Sequence, residues 1–179
     1  MSQLGLYLEL TKPRIITMIL VTTALGFFLG SPGELSLWRM LWTLVGTALA
    51  AGGAGTLNHY LERDVDAMMR RTQTRPLPTG GLRAGPTLSF GFGLIIVGQV
   101  VLVVGTNLLT AWLALLTAFL YVVIYTPMKR MTWLNTSMGA IPGALPPVGG
   151  WTAASGELEW GAWALFAILF TWQHPHFFA

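Results

Sequence analysis

Six apolar stretches of near-membrane length dominate this chain: Ile15–Gly30, Leu37–Leu57, Thr87–Val104, Leu109–Tyr125, Met138–Ala154 and Trp160–Phe178. A helix needs roughly 20 mainly apolar residues to cross a bilayer, and every backbone polar group in lipid must find its partner within the protein. Repeated stretches of this kind restrict the chain to an all-α, polytopic transmembrane helix bundle of six spans. Charged residues make up only 9% of the chain and hydrophobic ones 54%, whereas an ordinary soluble domain has about 25% charged residues. With no internal repeat, low-complexity tract or soluble segment, residues 1–179 are expected to form a single transmembrane domain.

The first stretch follows Lys12 and Arg14, as a signal peptide would. Threonines at 17, 22 and 23 interrupt it, however, and no A-x-A cleavage site follows, so it reads as a retained helix. With the N-terminus cytoplasmic, Lys12, Arg14, Arg63, Arg70, Arg71, Arg75, Arg83, Lys129 and Arg130 lie inside and only Arg39 lies outside. Nine of ten basic residues on one side satisfies the positive-inside rule. The net charge of +3 therefore belongs to membrane loops rather than to a nucleic-acid-binding patch. No Arg- and Ser-rich leader precedes Lys12, which points to a bacterial inner membrane. Cysteine is absent, excluding disulfide frameworks, thiolate metal sites and cysteine nucleophiles.

The fifth stretch departs from the others. Pro142, Pro146 and Pro147 and four glycines between Met138 and Trp151 predict a broken or kinked helix, packed inside the bundle or lining a cavity. Gly26-x-x-x-Gly30 and Gly139-x-x-x-Gly143 are candidate close helix contacts. Gly91-Phe92-Gly93 lies within a span and lacks the strand–turn–helix setting of a dinucleotide loop.

Chemistry concentrates where the second stretch ends. Asn58, Glu62 and Asp66 recur every four residues, so on a helix each sits about 40° round from the last, on one face. Like charges at i,i+4 destabilise an isolated helix, which calls for a cation between Glu62 and Asp66. Two carboxylates and an amide oxygen suit Mg²⁺, which takes few protein oxygens and completes its shell with substrate oxygens. The opposing interpretation is a solvated helix end in which Asp66 pairs with Arg70. Emergence directly from an apolar span favours function, because polar groups there are costly. Asp64 points roughly 200° away from Glu62 and reads as a partner for arginines.

Arg70, Arg71 and Arg75 follow the acids, and Lys129 and Arg130 fall on the same membrane face. As a set they can clamp a phosphate-bearing ligand, although any one of them also serves as a positive-inside determinant. His174 and His176 flank Pro175, and i,i+2 residues diverge on a helix, so they do not read as a metal pair. His59 adjoins the acidic face but points about 100° from Asn58.

Longer strings carry a resemblance. Lys12-Pro13-Arg14 and Asn58-x3-Glu62-x3-Asp66 resemble the UbiA-type intramembrane prenyltransferase superfamily, typified by 4-hydroxybenzoate polyprenyltransferase. Met69-Arg70-Arg71-Thr72-x-x-Arg75-Pro76-Leu77-Pro78, Tyr125-Thr126-Pro127-Met128-Lys129-Arg130, Gly143-Ala144-x-Pro146-Pro147-x-x-Gly150-Trp151 and Trp172-Gln173-x-Pro175-His176-Phe177 resemble its protoheme IX farnesyltransferase (heme O synthase) branch. The resemblance runs from Lys12 to Ala179. It implies a nine-helix bundle with a second acid-rich motif opposite the first. This chain would then hold the N-terminal six helices and be inactive alone.

The resemblance further implies Mg²⁺ on Asn58, Glu62 and Asp66, with Arg70, Arg71, Arg75, Lys129 and Arg130 neutralising the diphosphate of farnesyl diphosphate. The farnesyl group would pass to a vinyl group of protoheme IX (heme B), water would add, and heme O and diphosphate would result. His176 matches the family string and would contact heme. The implied protein partners are heme A synthase or a terminal oxidase assembly. Two other readings stay open: a prenyltransferase acting on a quinone or chlorin precursor, and a non-catalytic heme-binding membrane subunit.

Overall fold

The structure is a computed structural model that describes residues 2–31, 33–132 and 134–178; Ala179 and the side chain of Phe177 from the C-terminal string lie outside it. All regular structure among the described residues is helical: α1 (Gln3–Leu10), α2 (Pro13–Leu29), α3 (Leu37–Met68), α4 (Ala84–Gly105), α5 (Leu108–Phe119), a π-helical segment (Leu120–Tyr125), α6 (Thr126–Met128), α7 (Asn135–Ser155) and α8 (Trp160–Phe178). The six expected stretches thus map onto six long helical elements. Length and hydropathy qualify Leu37–Met68, Ala84–Gly105 and Leu108–Met128 as spans, and α1 with α2 forms a further candidate bent by 48°. Proline and glycine in α7, and tryptophan, glutamine and histidine in α8, lower the hydropathy of those two.

The polarity of the bundle is inside-out relative to a soluble protein. Ile96, Val100 and Val104 on α4 repeat every four residues and are exposed, giving an apolar outer stripe of the kind lipid would cover. Inside, large apolar side chains such as Phe27, Leu102 and Val148 pack with small residues and hydroxyls: Ala50, Ala54, Ala140, Ala144 and Ala153, with Thr23, Thr43, Thr56 and Thr87 buried among them. Those threonines satisfy themselves on the preceding turn, as in Thr43 Oγ1 donating to Arg39 O at 2.8 Å and Thr56 Oγ1 to Gly52 O at 2.9 Å.

Small residues let the helices approach closely. A Cβ added to Gly26 on α2 would stand 2.0 Å from Pro147 O on α7, and one added to Gly150 would stand 2.0 Å from Thr23 O. The other anticipated glycine contacts also fall at interfaces: Gly30 on Trp151, Gly139 on the Tyr125 ring and Gly143 on Gln173.

One expectation is narrowed. Of the broken or kinked helix expected in the fifth stretch, the break does not occur: α7 runs as one helix through Pro142, Pro146 and Pro147. Each proline removes a backbone donor. Packing against α2, α5 and α8 nevertheless holds the helix, with Ala140, Ala144, Val148 and Ala153 fully buried. Its interior placement is as expected. The irregularity lies instead in the fourth stretch, where the backbone widens to a π-helix over Leu120–Tyr125 just ahead of Pro127. At the second stretch, helix continues past the apolar run to Met68 and carries the acidic motif on regular α-helix, as its four-residue spacing anticipated.

Candidate acidic site at the end of α3

Asn58 is fully buried, Asp66 is 4% exposed and Glu62 is half-buried. They share one face of α3, as the four-residue spacing requires. Each is held by a base from a different part of the chain. Lys12 Nζ donates to Asn58 Oδ1 at 2.5 Å. Lys129 Nζ donates to Glu62 Oε1 at 2.9 Å. Arg75 Nη1 donates to Asp66 Oδ2 at 2.6 Å.

Local structure explains why these bases arrive. Between α1 and α2, Lys12 adopts φ 57° and ψ 63°, a left-handed turn that ends α1 over the fully buried Leu10. The residue before a proline is pushed away from the right-handed helical region, so Pro13 contributes to this bend. Lys129 follows the π-helical segment, which also turns Tyr121 and Tyr125 into a stacked pair with ring centroids 5.6 Å apart. The Lys129 ammonium lies 4.8 Å from the Tyr125 ring centroid, a cation–π arrangement. Single π-turns of this kind recur at functional sites. Thr126, buried at the end of the segment, accepts from Asn58 Nδ2 at 3.0 Å and donates to Tyr121 O at 2.8 Å. The Asn58 amide is therefore oriented, with its oxygen facing Lys12.

Arg75 is delivered by a folded-back loop. Thr72 Oγ1 donates to Asp66 O at 3.1 Å, Leu82 N donates to Pro76 O at 3.1 Å, and Thr72, Pro76 and Leu82 are buried. The partner of Asp66 is thus Arg75, not the i,i+4 neighbour Arg70. Arg70 and Arg71 are exposed, and no ion pair joins either to the motif carboxylates among the described residues. Arg130 is also exposed and donates to Leu61 O at 3.1 Å, bracing the α3 backbone rather than a carboxylate. Asp64 is exposed and pairs with Arg63 at 3.7 Å, away from the acidic face.

Lys12 is the site residue that spacing arguments passed over. Its only sequence signal is a lysine set directly before Pro13 and an apolar run, and its contact with Asn58 spans 46 positions. His59 is buried, with Nδ1 unpartnered among the described residues; it stands seven positions from Asp66, on nearly the same helical face. At the other candidate locus, His174 Nδ1 lies 2.9 Å from Phe170 O and Nε2 3.0 Å from Ser137 Oγ. His176 is exposed and stacks on Trp172 with centroids 4.7 Å apart.

Among the described residues no group of three or more His, Cys, Asp or Glu could hold a metal ion. The oxygens this face offers a cation are those of two carboxylates and the Asn58 amide, leaving the rest of a coordination shell to a ligand. That hard, all-oxygen and incomplete donor set fits Mg²⁺ bound together with a phosphate group. Chemically, the site is a largely buried acidic stripe with a base against each of its three polar side chains.

Comparison with known proteins agrees with this architecture. Residues 19–179 match the model of the UbiA prenyltransferase family. The protoheme IX farnesyltransferase of Solibacter usitatus is 50% identical over 97% of this chain and 62% of its own length, and that of Salinibacter ruber is 52% identical over 96% and 60%. The chain spans about three-fifths of the length of these curated relatives. A solved structure of digeranylgeranylglyceryl phosphate synthase superposes with a TM-score of 0.82 at 18% identity, covering 95% of this chain and 59% of that one. A UbiA homolog from Archaeoglobus fulgidus bound to DMAPP and Mg²⁺ gives 0.76 at 21%, covering 95% and 62%. At such identities the structures speak for the fold, while the family match runs from the middle of α2 through α8 and takes in the whole acidic face: the chain belongs to the UbiA prenyltransferase family.

Proposed function

We propose that this chain supplies the first diphosphate half-site of an enzyme that transfers the farnesyl group of farnesyl diphosphate to a vinyl group of protoheme IX. The observation that carries this reading is the acidic face of α3, where Asn58, Glu62 and Asp66 each meet a base from a separate element. Two relatives at 50% and 52% identity that bear the name protoheme IX farnesyltransferase support the choice of substrates. Support for Mg²⁺ comes from the donor set and from the A. fulgidus homolog described with DMAPP and Mg²⁺.

Asn58, Glu62 and Asp66 would hold Mg²⁺, which when bound supplies electrostatic stabilisation of the departing diphosphate. The protein's own residues do the rest. Lys129 and Arg75 bind phosphate oxygens, and Arg70, Arg71 and Arg130 line the approach. Three bases against two carboxylates leave a surplus of one positive charge before any metal enters, so an anionic ligand is favoured from the outset. As the allylic C–O bond breaks, its electron pair leaves with the diphosphate, and these cations neutralise it. The vinyl carbon then bonds to farnesyl C1, and water adds to the resulting cation with loss of a proton. The apolar helix walls keep water from the farnesyl cation until that bond has formed. His176, exposed at the end of α8, is the proposed heme contact. The protein would lie in the inner membrane with its N-terminus cytoplasmic, passing product toward heme A synthase or terminal oxidase assembly.

The test is product mass. Purified full-length protein is incubated with farnesyl diphosphate, Mg²⁺ and an equimolar mixture of heme B, a quinone precursor and a chlorin precursor. A heme product heavier by farnesyl plus water is expected, disappearing on chelation. Prenylation of another acceptor would replace this reading with a different prenyltransferase activity, and heme binding without diphosphate release would make the protein a binding subunit.

A further inference from the structure

Of the three bases on the acidic face, Lys129 and Arg75 neutralise carboxylates, but Lys12 meets a neutral amide. Asn58 does not need an ammonium group for satisfaction alone. Its Nδ2 already donates to Thr126 Oγ1 at 3.0 Å, and a hydroxyl or amide could serve its oxygen. The position is also conformationally demanding. Lys12 is the one non-glycine residue with positive φ among the described residues, in a region that side chains with a Cβ rarely enter. That bend brings its ammonium to Asn58 Oδ1 at 2.5 Å, with Tyr121 OH at 3.4 Å. A strained backbone, a half-buried charge and a metal-ligand oxygen therefore coincide.

We propose that Lys12 is a positioning residue that couples metal loading to diphosphate loading. The proposal rests on the reading of Asn58, Glu62 and Asp66 as the metal face. In the metal-free site the Lys12 ammonium holds the Asn58 oxygen that a divalent cation would use. A cation arriving alone meets a like charge at that oxygen and must drive the ammonium off with nothing to receive it. When a diphosphate arrives as well, the flexible lysine stem swings its three donors onto a phosphate oxygen. Asn58 passes to the metal, and repulsion becomes shared attraction to the anion. Lys129 and Arg75 make the same exchange from Glu62 and Asp66, but Lys12 is the base whose removal leaves no carboxylate unpaired. It is therefore the one that can be neutralised without creating a new buried charge.

The experiment measures Mn²⁺ affinity of the full-length protein by electron paramagnetic resonance, with and without farnesyl thiolodiphosphate, an analogue that ionises slowly. In the wild type the analogue should tighten Mn²⁺ binding by roughly tenfold or more, and Mn²⁺ should tighten analogue binding by the same factor. In Lys12→Met, Mn²⁺ alone should bind more tightly than in wild type while the coupling factor falls severalfold, down to the part that direct coordination of the metal by diphosphate oxygens supplies. Lys12→Gln keeps a donor to Asn58 without the charge and should behave as Lys12→Met does; Lys12→Arg should retain coupling. A lysine that merely braces the fold would weaken Mn²⁺ and analogue binding in parallel with coupling intact, and that result overturns the proposal. Wild-type protein that binds no Mn²⁺ even with the analogue would sink the metal-face reading itself. Coupling as large in Lys12→Gln as in the wild type would sink only the role of Lys12.

Discussion

The two ends of the bundle bury polar groups in opposite ways. At the end formed by the start of α3 and α5 and the close of α7, no ion pair forms among the described residues, and polar groups bond to neutral acceptors. Asn107 caps α5 by accepting from Thr110 N at 2.8 Å, and its Nδ2 donates to Thr152 O at 2.8 Å. Thr110 and Thr152 hydroxyls lie 3.0 Å apart, and Arg39 donates to Ala154 O at 3.3 Å. At the other end, where α3 finishes, the contacts are ionic: Glu62 with Lys129 and Asp66 with Arg75. A network without paired charges gains nothing by opening. An ionic network surrounding an oxygen-rich face can trade each internal partner for a metal or phosphate oxygen at little net loss. The first end thus locks helices together, and the second has the make-up that the proposed exchange requires.

That contrast can be broken most forcefully at Asp66. Asp66→Asn keeps the shape and a partner for Arg75 but removes the charge, and should lower farnesyl transfer by about 10²–10³-fold, the usual scale for losing one transition-state electrostatic contact. Thermal melting without ligand should barely change. A variant that melts early instead would show that the acidic end is structural like the other.

The next effect in size belongs to packing between the two ends. Gly150→Ala places a methyl group 2.0 Å from Thr23 O, and overpacking of this kind destabilises by about 1–3 kcal/mol. The reversible unfolding midpoint should fall while the Mn²⁺ affinity of the fraction that remains folded is unchanged.

At the neutral end, Asn107→Ala removes a helix cap and leaves Thr152 O without its side-chain donor. Losing an N-cap typically costs about 1 kcal/mol, read as a lowered unfolding midpoint with farnesyl transfer preserved. Activity loss without destabilisation would erase the distinction between the ends.

The smallest effect should come from Arg70→Ala and Arg71→Ala. Both are exposed, and exposed ion pairs are worth about 0–1 kcal/mol, so KM for farnesyl diphosphate should rise by less than fivefold or so. Arg75→Ala, which strips Asp66 of its partner at 2.6 Å, should exceed both. Equal effects from all three arginines would mean that the loop moves onto the diphosphate as a whole.

Much of this molecule follows from local rules. The periodicity that places Asn58, Glu62 and Asp66 on one face is a property of any α-helix, so it could be read before any packing was known. The same holds for Gly26 and Gly139, whose spacing anticipates close contacts. Local rules also misled. Three prolines argue for a broken or kinked α7, yet with neighbours on three sides it stays helical throughout. Arg70 is the local partner for Asp66 by spacing, but the turn after Met68 carries Arg70 outward and returns Arg75 instead.

The amino-acid sequence by itself determined the helical membrane architecture, the acidic stripe and the concentration of basic residues beside it, because hydropathy, helical period and charge are properties of neighbouring residues. The tertiary structure alone decided which base meets which acid or amide. Lys12 reaches Asn58 across 46 positions and Lys129 reaches Glu62 across 67. Such pairings depend on how helices approach, on a left-handed bend at Lys12 and on a π-turn ahead of Lys129. Nothing within one turn of helix encodes them.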